Sequence, residues 1–358
     1  MTFGIESLGV QLPQAVLDVD LLATLHKVDP EKFRIGLGCR QMALCGEKET
    51  VVDLAVGAAQ KALKAWKGDP KKIGFLAVGT ETSLDEARPL SAWVAQTLGL
   101  SGNIRSYEVK HACYGGMLAV RQALEWKLSG AAHPEQVALV VAADICMYPF
   151  LHPAEPTQGA GAVALIIGDP LLCSLDQKSH CYSEPLFDFW RPTGQFYPIV
   201  QGKLSIDAYC RAFYQCAKNF TEEKGLEDFL ALDHLCFHVP FPKMVFRAVS
   251  LLVHRLKLTE QQTEKILKDA ARSVFWNQDI GNAYTASLWI SFAYALGHGT
   301  QGQRLGIFSF GSGCGAEFMT AKIHHTGNTP WVSDIQEQLK NRQSLSVQEY
   351  EALRKNLP

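Results

Sequence analysis

The stretch Glu108-Val109-Lys110-His111-Ala112-Cys113-Tyr114-Gly115-Gly116 decides how the rest of the chain is read. A cysteine stands there ahead of two glycines. Behind them Met117, Val120, Leu124 and Leu128 recur at helical spacing, and Gly130 stops the pattern. This order predicts a buried helix with Cys113 at its N-terminus, where unpaired backbone N–H groups and the helix dipole favour a thiolate. The glycines are expected to let a thioester approach the backbone closely. A buried structural cysteine fits the same residues, because free cysteine is among the most buried residue types.

Working outward, short apolar runs alternate with helical patterns. Residues 3–10 read as a first strand, and helical segments follow up to Gly38. Glu49 to Trp66 has the spacing of an amphipathic helix, and Ile73 to Gly79 reads as a buried strand ending in Thr80-Glu81-Thr82. A helix through Leu90, Trp93, Val94 and Leu98 leads to the short strand before Cys113. Val137 to Ala143 is a continuous apolar strand ending at Asp144, a polar loop runs from Pro149 to Gly161, and Ala162 to Gly168 is another strand. From Asp169 the chain is less regular and rich in aromatics. A helix over Ser205 to Lys224, the strand Leu235 to Val239, helices over Met244–Leu256 and Thr259–Val274, a helix opened by Asn282 and a strand over Leu305 to Phe310 complete it. Residues 328–358 read as peripheral, with a capping box at Ser346 and Glu349 opening a last short helix. The pattern implies a mostly parallel sheet covered on both faces. Glycine turns lead into a strand at Gly159 and again at Gly311, a weak hint of duplication.

Composition narrows the function. The 358 residues are 47% hydrophobic and 20% charged with a formal net charge of −2, so no basic surface for nucleic acid and no polybasic membrane patch is expected. The opening MTFGIESLGVQLP lacks a basic n-region and does not read as a signal peptide. The uncharged run Ile280 to Gln303 is long enough to span a bilayer, but its polar residues and glycines suit a helix buried in protein. Ten cysteines without a CxxC pair point to reduced thiols in the cytoplasm. No cluster has zinc-ligand spacing, and no metal is expected.

Glu81, Cys113 and His238 all fall where strands end or helices begin, the edge that carries active sites in open α/β sheets. A cysteine nucleophile, a carboxylate and a histidine could together run thioester chemistry with acid–base support. Each also has a plain reading: Glu81 as a cap or surface carboxylate, His238 as a hydrogen-bonded core histidine. The GSGCGA segment at 311–316 fits a dinucleotide pattern only superficially, because no long helix and second βαβ strand follow it.

From about residue 3 to 320 the chain resembles the 3-hydroxy-3-methylglutaryl-CoA synthases of bacterial type, condensing enzymes of the thiolase superfamily. The matching segments are VDPEKFRIGLG (28–38), GTET (79–82), KHACYGG (110–116), EPTQGAGAVALIIG (155–168), DFWRPTGQFYPIVQGKLSIDAY (188–209), CFHVPFPKM (236–244), GNAYTASLW (281–289) and FGSG (310–313). The resemblance implies an α/β thiolase-like fold: two similar βαβαβαββ halves, 1–168 and 169–358, in an αβαβα layered arrangement. It implies that Cys113 takes an acetyl group from acetyl-CoA, that Glu81 is the general acid/base of condensation with acetoacetyl-CoA, and that His238 polarises the second substrate's carbonyl. It further implies substrate or CoA contacts at Asp29, Tyr148, Thr157, Ser205, Lys243, Arg247, Asn282 and Ser312. Oxyanion donors are expected at the helix start by Cys113 and at the GSG turn.

No cofactor beyond the CoA thioesters is implied, and a homodimer is expected. The same chemistry on acyl-carrier-protein-bound substrates in polyketide β-branching is an alternative, and a non-catalytic thiolase-fold scaffold is another. A ketoacyl synthase would want Cys-His-His or Cys-His-Asn, from which Glu81 distinguishes this chain. Two departures stand out. Cys314 follows the GSG turn and is expected to add redox sensitivity near the site. The chain, ending at Pro358, is also shorter than many relatives, which is expected to trim peripheral helices rather than the site.

Overall fold

The structure, a computed structural model, describes residues 2–355, so Pro358 lies outside it. Nine strands form one mixed sheet among these residues: β1 (Gly4–Gln11), β2 (Ile73–Gly79), β3 (Arg105–Val109), β4 (Val137–Cys146), β5 (Gly159–Gly168), β6 (Cys173–Ser183), β7 (His234–Phe237), β8 (Arg304–Gly311) and β9 (Gly315–Ile323). Their order across the sheet is β7-β8-β9-β6-β1-β5-β4-β2-β3. The helices that position the site or cover the sheet are α1 (Val51–Trp66), α2 (Leu90–Leu98), α3 (Gly115–Leu128), α4 (Gly202–Lys224), α5 (Pro242–Leu256), α6 (Glu260–Ser273), α7 (Thr285–His298), α8 (Pro330–Lys340) and α9 (Val347–Lys355).

The order repeats about the β1–β6 seam. On one side β2 and β4 are parallel, β4 and β5 antiparallel, and β5 and β1 antiparallel. On the other side β7 and β8 are parallel, β8 and β9 antiparallel, and β9 and β6 antiparallel. We propose that this repeat is the two-half organisation, divided between residues 168 and 169. The sheet is mixed, not mostly parallel as the strand–helix alternation suggested, because each half closes on hairpin-like returns (β4 to β5, β8 to β9) that need no crossover helix.

Strand alternation sorts side chains into layers. In β4, Leu139, Val141 and Ala143 point into an outer core under α1, whereas Ala138, Val140 and Ala142 point into a central core around α3 and α7. In β8, Leu305 and Ile307 join that central core, and Phe308 and Phe310 face a second outer core under α4 and α5. Helix, sheet, helix, sheet, helix is the αβαβα arrangement, its two sheet layers being the two sides of the nine-stranded sheet, joined at the β1–β6 seam through Gly4–Ser174 and Ile5–Cys173. The central helices are apolar nearly all round: α7 buries residues on every face, which accounts for the uncharged run without a membrane. No helix among the described residues is long and apolar enough to cross one. In the second outer core Phe308 packs against Tyr209, Phe213 and Phe237, edge-to-face pairs worth about 0.5–1.5 kcal/mol each beyond burial.

Helix boundaries follow local chemistry. Thr50 and Asp53 form a reciprocal capping box that starts α1, and Thr259 and Gln262 do the same for α6. The expected box at Ser346 and Glu349 also forms, with Ser346 N donating to Glu349 Oε2 at 2.7 Å. The described part of the 328–358 segment is not peripheral, however. In α8 Trp331 and Ile335 are buried, and Gln338 bonds the backbone of Val10 and Leu12. In α9 the Tyr350 hydroxyl donates to buried Glu155 at 2.6 Å, and the Arg354 guanidinium donates to the Tyr148 carbonyl. The C-terminal helix therefore braces the 148–158 loop. Its charged surface residues hid this from the periodicity.

Candidate active site

Cys113 stands just before α3, with Tyr114 as the N-cap. Its neighbour Ala112 is held at φ 43°, a left-handed conformation unfavourable for a residue with a Cβ and of a kind that gathers at functional sites. The Gly115–Gly116 pair serves packing, not substrate approach. A Cβ on Gly79 at the end of β2 would stand 2.5 Å from the Gly116 nitrogen, so strand end and helix start meet backbone to backbone. That contact brings Glu81, two residues beyond β2, beside Cys113. The Cys113 thiol donates to Glu81 Oε1 at 2.8 Å.

The backbone around Glu81 hangs on one buried carboxylate. Asp144 lies inside β4, which runs on past Ala143 to Cys146, and is fully buried. Its Oδ1 accepts from the Thr80 hydroxyl (2.9 Å), Glu81 N (2.7 Å), Thr82 N (2.9 Å) and the Thr82 hydroxyl (2.8 Å). Its Oδ2 accepts from Thr285 N (3.0 Å) and the Thr285 hydroxyl (2.6 Å) at the start of α7. One side chain thus ties the Glu81 loop of the first half to the central helix of the second.

This arrangement sets the proton balance. Burial first, and then the Asp144 charge, push the Glu81 carboxyl up to about 8, against smaller opposing effects of Cys113 and Arg191. Burial and the Glu81 carboxylate push the Cys113 thiol well above its ordinary value. The thiolate expected from the helix terminus is therefore not the resting form. A helix dipole is worth about 0.3–2 kcal/mol, or roughly one pKa unit, too little to offset desolvation beside a carboxylate. His238 is buried and pushed down to about 3, so its ring is neutral at pH 7.

Cys113 and His238 share a cavity of about 440 Å³ that Tyr148, Thr157, Ser205, Asn282 and Ser312 also line, and Glu81 stands behind its wall, reaching it through Cys113. Ser312 donates to Asp188 Oδ2 at 2.8 Å, and the Asn282 side-chain oxygen accepts from Tyr284 N at 2.9 Å. Phe189 and Val200 close one wall from the 188–201 segment, whose Arg191 reaches the carbonyl of Glu81. Asp29 does not line the cavity; it accepts from Glu31 N at 2.9 Å at the start of a short helix, while Leu37 from the same segment reaches the wall. Lys243 and Arg247 are exposed on α5, and Arg247 edges a neighbouring surface hollow with Arg255 and Tyr214. Cys314 does not stand as the exposed thiol that redox sensitivity would need. It is buried in the outer core under α4, and burial pushes its thiol up to about 12, which removes the thiolate that redox reactivity needs.

Asp188, Thr285 and Ser287 lie inside the matching segments 188–209 and 281–289 and Asp144 outside them, but none of the four was expected to have a role in the site. For Asp144 the available hint was an acid within the apolar run VALVVAADIC. No group of three or more His, Cys, Asp or Glu residues suited to a metal occurs among the described residues.

The turn carrying Asn282 gives a direct test of the cavity's geometry. Gly281 has φ 82°, and a Cβ there would stand 1.9 Å from the Gln158 carbonyl oxygen. Gly281→Ala is expected to destabilise the protein by about 1–3 kcal/mol and to raise KM by displacing Asn282 and the Thr157 loop. Denaturant unfolding and steady-state kinetics check the two effects.

Two family models match the chain. The one described as hydroxymethylglutaryl-coenzyme A synthase N terminal matches residues 1–171, and its C-terminal counterpart matches 174–272 and 255–356. A hydroxymethylglutaryl-CoA synthase of Enterococcus faecalis is 37% identical over 362 residues, covering 99% of this chain and 91% of that protein. The solved structure of MvaS in complex with 3-hydroxy-3-methylglutaryl coenzyme A superposes with a TM-score of 0.91 at 35% identity, covering 100% of this chain and 92% of that one. The curacin-pathway HMG synthase in complex with acetyl donor-ACP gives a TM-score of 0.91 at 29% identity, covering 99% and 88%. With both halves matched and a relative this similar over nearly its full length, the chain belongs to the hydroxymethylglutaryl-CoA synthase family.

Proposed function

We propose that this protein condenses acetyl-CoA with acetoacetyl-CoA to 3-hydroxy-3-methylglutaryl-CoA, the acyltransferase step of the mevalonate route to isoprenoids. The observation that carries the reading is the 2.8 Å contact between Cys113 Sγ and Glu81 Oε1 on the cavity that His238 also lines.

The chemistry follows from that geometry. Cys113 sulfur bonds the acetyl carbonyl carbon, the bond to CoA sulfur breaks, and the thiol proton leaves by way of Glu81 to the departing CoA. Backbone N–H groups around Cys113 and the Ser312 turn are the proposed donors to the thioester oxygen. Glu81, now a carboxylate, takes a proton from the acetyl methyl. The resulting carbon nucleophile attacks the ketone of acetoacetyl-CoA, whose oxygen accepts a hydrogen bond from His238 and takes up the proton that Glu81 removed, ending as a hydroxyl and restoring the carboxylate. Water then cleaves the Cys113 thioester, releasing a free carboxylate on the product and restoring the thiol. Tyr148, Thr157, Ser205, Asn282 and Ser312 shape the acyl and pantetheine path, while Lys243 and Arg247 offer cations for phosphates at its outer end. Asp29 is proposed to contact the ligand from that same outer rim. No further cofactor enters the reaction.

The homodimer and the cytoplasmic setting belong to this reading. The β3 edge leaves one border of the sheet without a partner strand among the described residues, a surface that a second copy can cover. Ten free cysteines suit a reducing compartment. The solved complex of the curacin relative with a donor carrier protein motivates one competing substrate form. Steady-state assays with each donor separate them. Turnover of acetyl-CoA with acetoacetyl-CoA to the hydroxymethylglutaryl thioester is expected. Turnover only when the acyl groups are carried on acyl-carrier protein would transfer the assignment to β-branching.

A further inference from the structure

His238 must present a hydrogen-bond donor to the ketone oxygen, and a neutral imidazole has only one N–H to give. The ring lines the cavity, and its Nε2 has no hydrogen-bond partner in the protein among the described residues. Its Nδ1 lies 2.6 Å from the Ser287 hydroxyl, in the first turn of α7. Val239 N donates to that same hydroxyl oxygen at 3.2 Å. Both His238 and Ser287 are buried, at 1% and 0% exposure, so water does not compete for these groups.

A serine hydroxyl has one hydrogen to donate and two lone pairs. The backbone amide of Val239 can only donate, so it occupies one lone pair. If Nδ1 also carried a proton and donated, the serine hydrogen would be left without an acceptor in a dry site. If the serine donates to Nδ1 instead, all three groups are satisfied and the ring proton sits on Nε2. We propose that Ser287 is a positioning residue that fixes the Nε2–H tautomer of His238 and so makes the histidine a donor to the substrate carbonyl. The cost of an unsatisfied buried donor favours this tautomer by about tenfold or more. Burial keeps the ring neutral, in keeping with the same assignment. The clamp is anchored on both sides: Tyr209 OH donates to the His238 carbonyl at 2.6 Å, and Asn277 Nδ2 donates to the Ser287 carbonyl at 3.1 Å. The role in condensation rests on the activity proposed above; the tautomer does not.

The test begins with the unaltered protein. In ¹⁵N-histidine-labelled enzyme at pH 7, the His238 signal, assigned by its absence from His238→Asn, should show an unprotonated Nδ1 and a protonated Nε2. A protonated Nδ1 would overturn the proposal. In Ser287→Ala the spectrum should move toward the other tautomer, and condensation should fall about tenfold or more while acetylation of Cys113 by acetyl-CoA is unchanged. A spectrum unmoved by Ser287→Ala, or equal losses in both half-reactions, would also overturn it. Absence of any condensation by the unaltered enzyme would count against the proposed activity, and the spectrum would still decide the tautomer.

Discussion

Glu81→Gln is expected to slow condensation by about 10²–10⁴-fold, the usual contribution of a positioned acid–base group. The amide keeps the shape of the carboxyl but cannot accept a proton from the acetyl methyl. The pH dependence should change with it. The base must be ionised, and its carboxyl is pushed up to about 8 by burial and by Asp144. Below that value the ionised fraction falls about tenfold per pH unit, so the unaltered enzyme should gain rate steeply from pH 6 to 8 and level off above. The Gln variant should lack that rise. Steady-state rates across pH 6–9 check both statements.

The same shift makes a stability prediction of opposite sense. Glu81 binds its proton more tightly in the folded than in the unfolded chain, so folding is favoured while the carboxyl is protonated. That contribution is fully present below the ordinary carboxyl value of 4.5 and is lost as pH rises through about 8. Glu81→Gln removes the loss. The variant should therefore be more stable than the parent at pH 8–9, an exchange of stability for activity common at active sites. Thermal unfolding at pH 5 and pH 9 reads it directly.

Asp144→Ala should have the largest structural effect of any single change near the site. It leaves the backbone N–H groups of Glu81 and Thr285 and the buried Thr80 hydroxyl without their acceptor, while Thr82 N keeps a second acceptor in that hydroxyl at 2.9 Å. Each unsatisfied buried donor costs about 1–3 kcal/mol, so a loss of about 3 kcal/mol or more is expected even after relaxation. Activity should fall further than stability alone explains, because Asp144 holds both the Glu81 loop and the start of α7, leaving the Thr285 hydroxyl on the Gly79 carbonyl to join them. Asp144→Asn keeps one acceptor oxygen and should cost less. The shift in urea midpoint at unchanged slope measures the difference.

What could be read from the sequence divides along a physical line. Strands β2 and β8 and helices α1 and α6 were legible because burial on one or both faces imposes a clean period, and because capping residues mark the helix starts. Strand β6 was not. Only Cys173, Ser174 and Leu175 at its start are buried; beyond them the core-facing positions His180 and Tyr182 are half-buried and not aliphatic, so no clear apolar alternation betrays the strand. The small three-stranded sheet through Ala15–Asp18 and Gln41–Leu44 was missed for a related reason, its strands being too short for a pattern. Cys113, Glu81 and His238 stood out because their residue types carry chemistry and sit at element ends. Asp144 and Ser287 act through hydrogen bonds between segments far apart in the chain, and no local pattern encodes such a partner.

The glycines by Cys113 show the limit of local reading most clearly. Sequence suggested room for a thioester, whereas the space is taken by Gly79 and by α7. The thiolate expectation failed in the same way, since a helix terminus is a local feature and the desolvation beside Glu81 is not.

The central claim is that Cys113 carries the acetyl group. Intact mass of the unaltered protein after brief exposure to acetyl-CoA should show the gain of one acetyl, absent from Cys113→Ala, and acetoacetyl-CoA should then discharge it as hydroxymethylglutaryl-CoA. No gain from acetyl-CoA, or an equal gain in Cys113→Ala, would contradict the account.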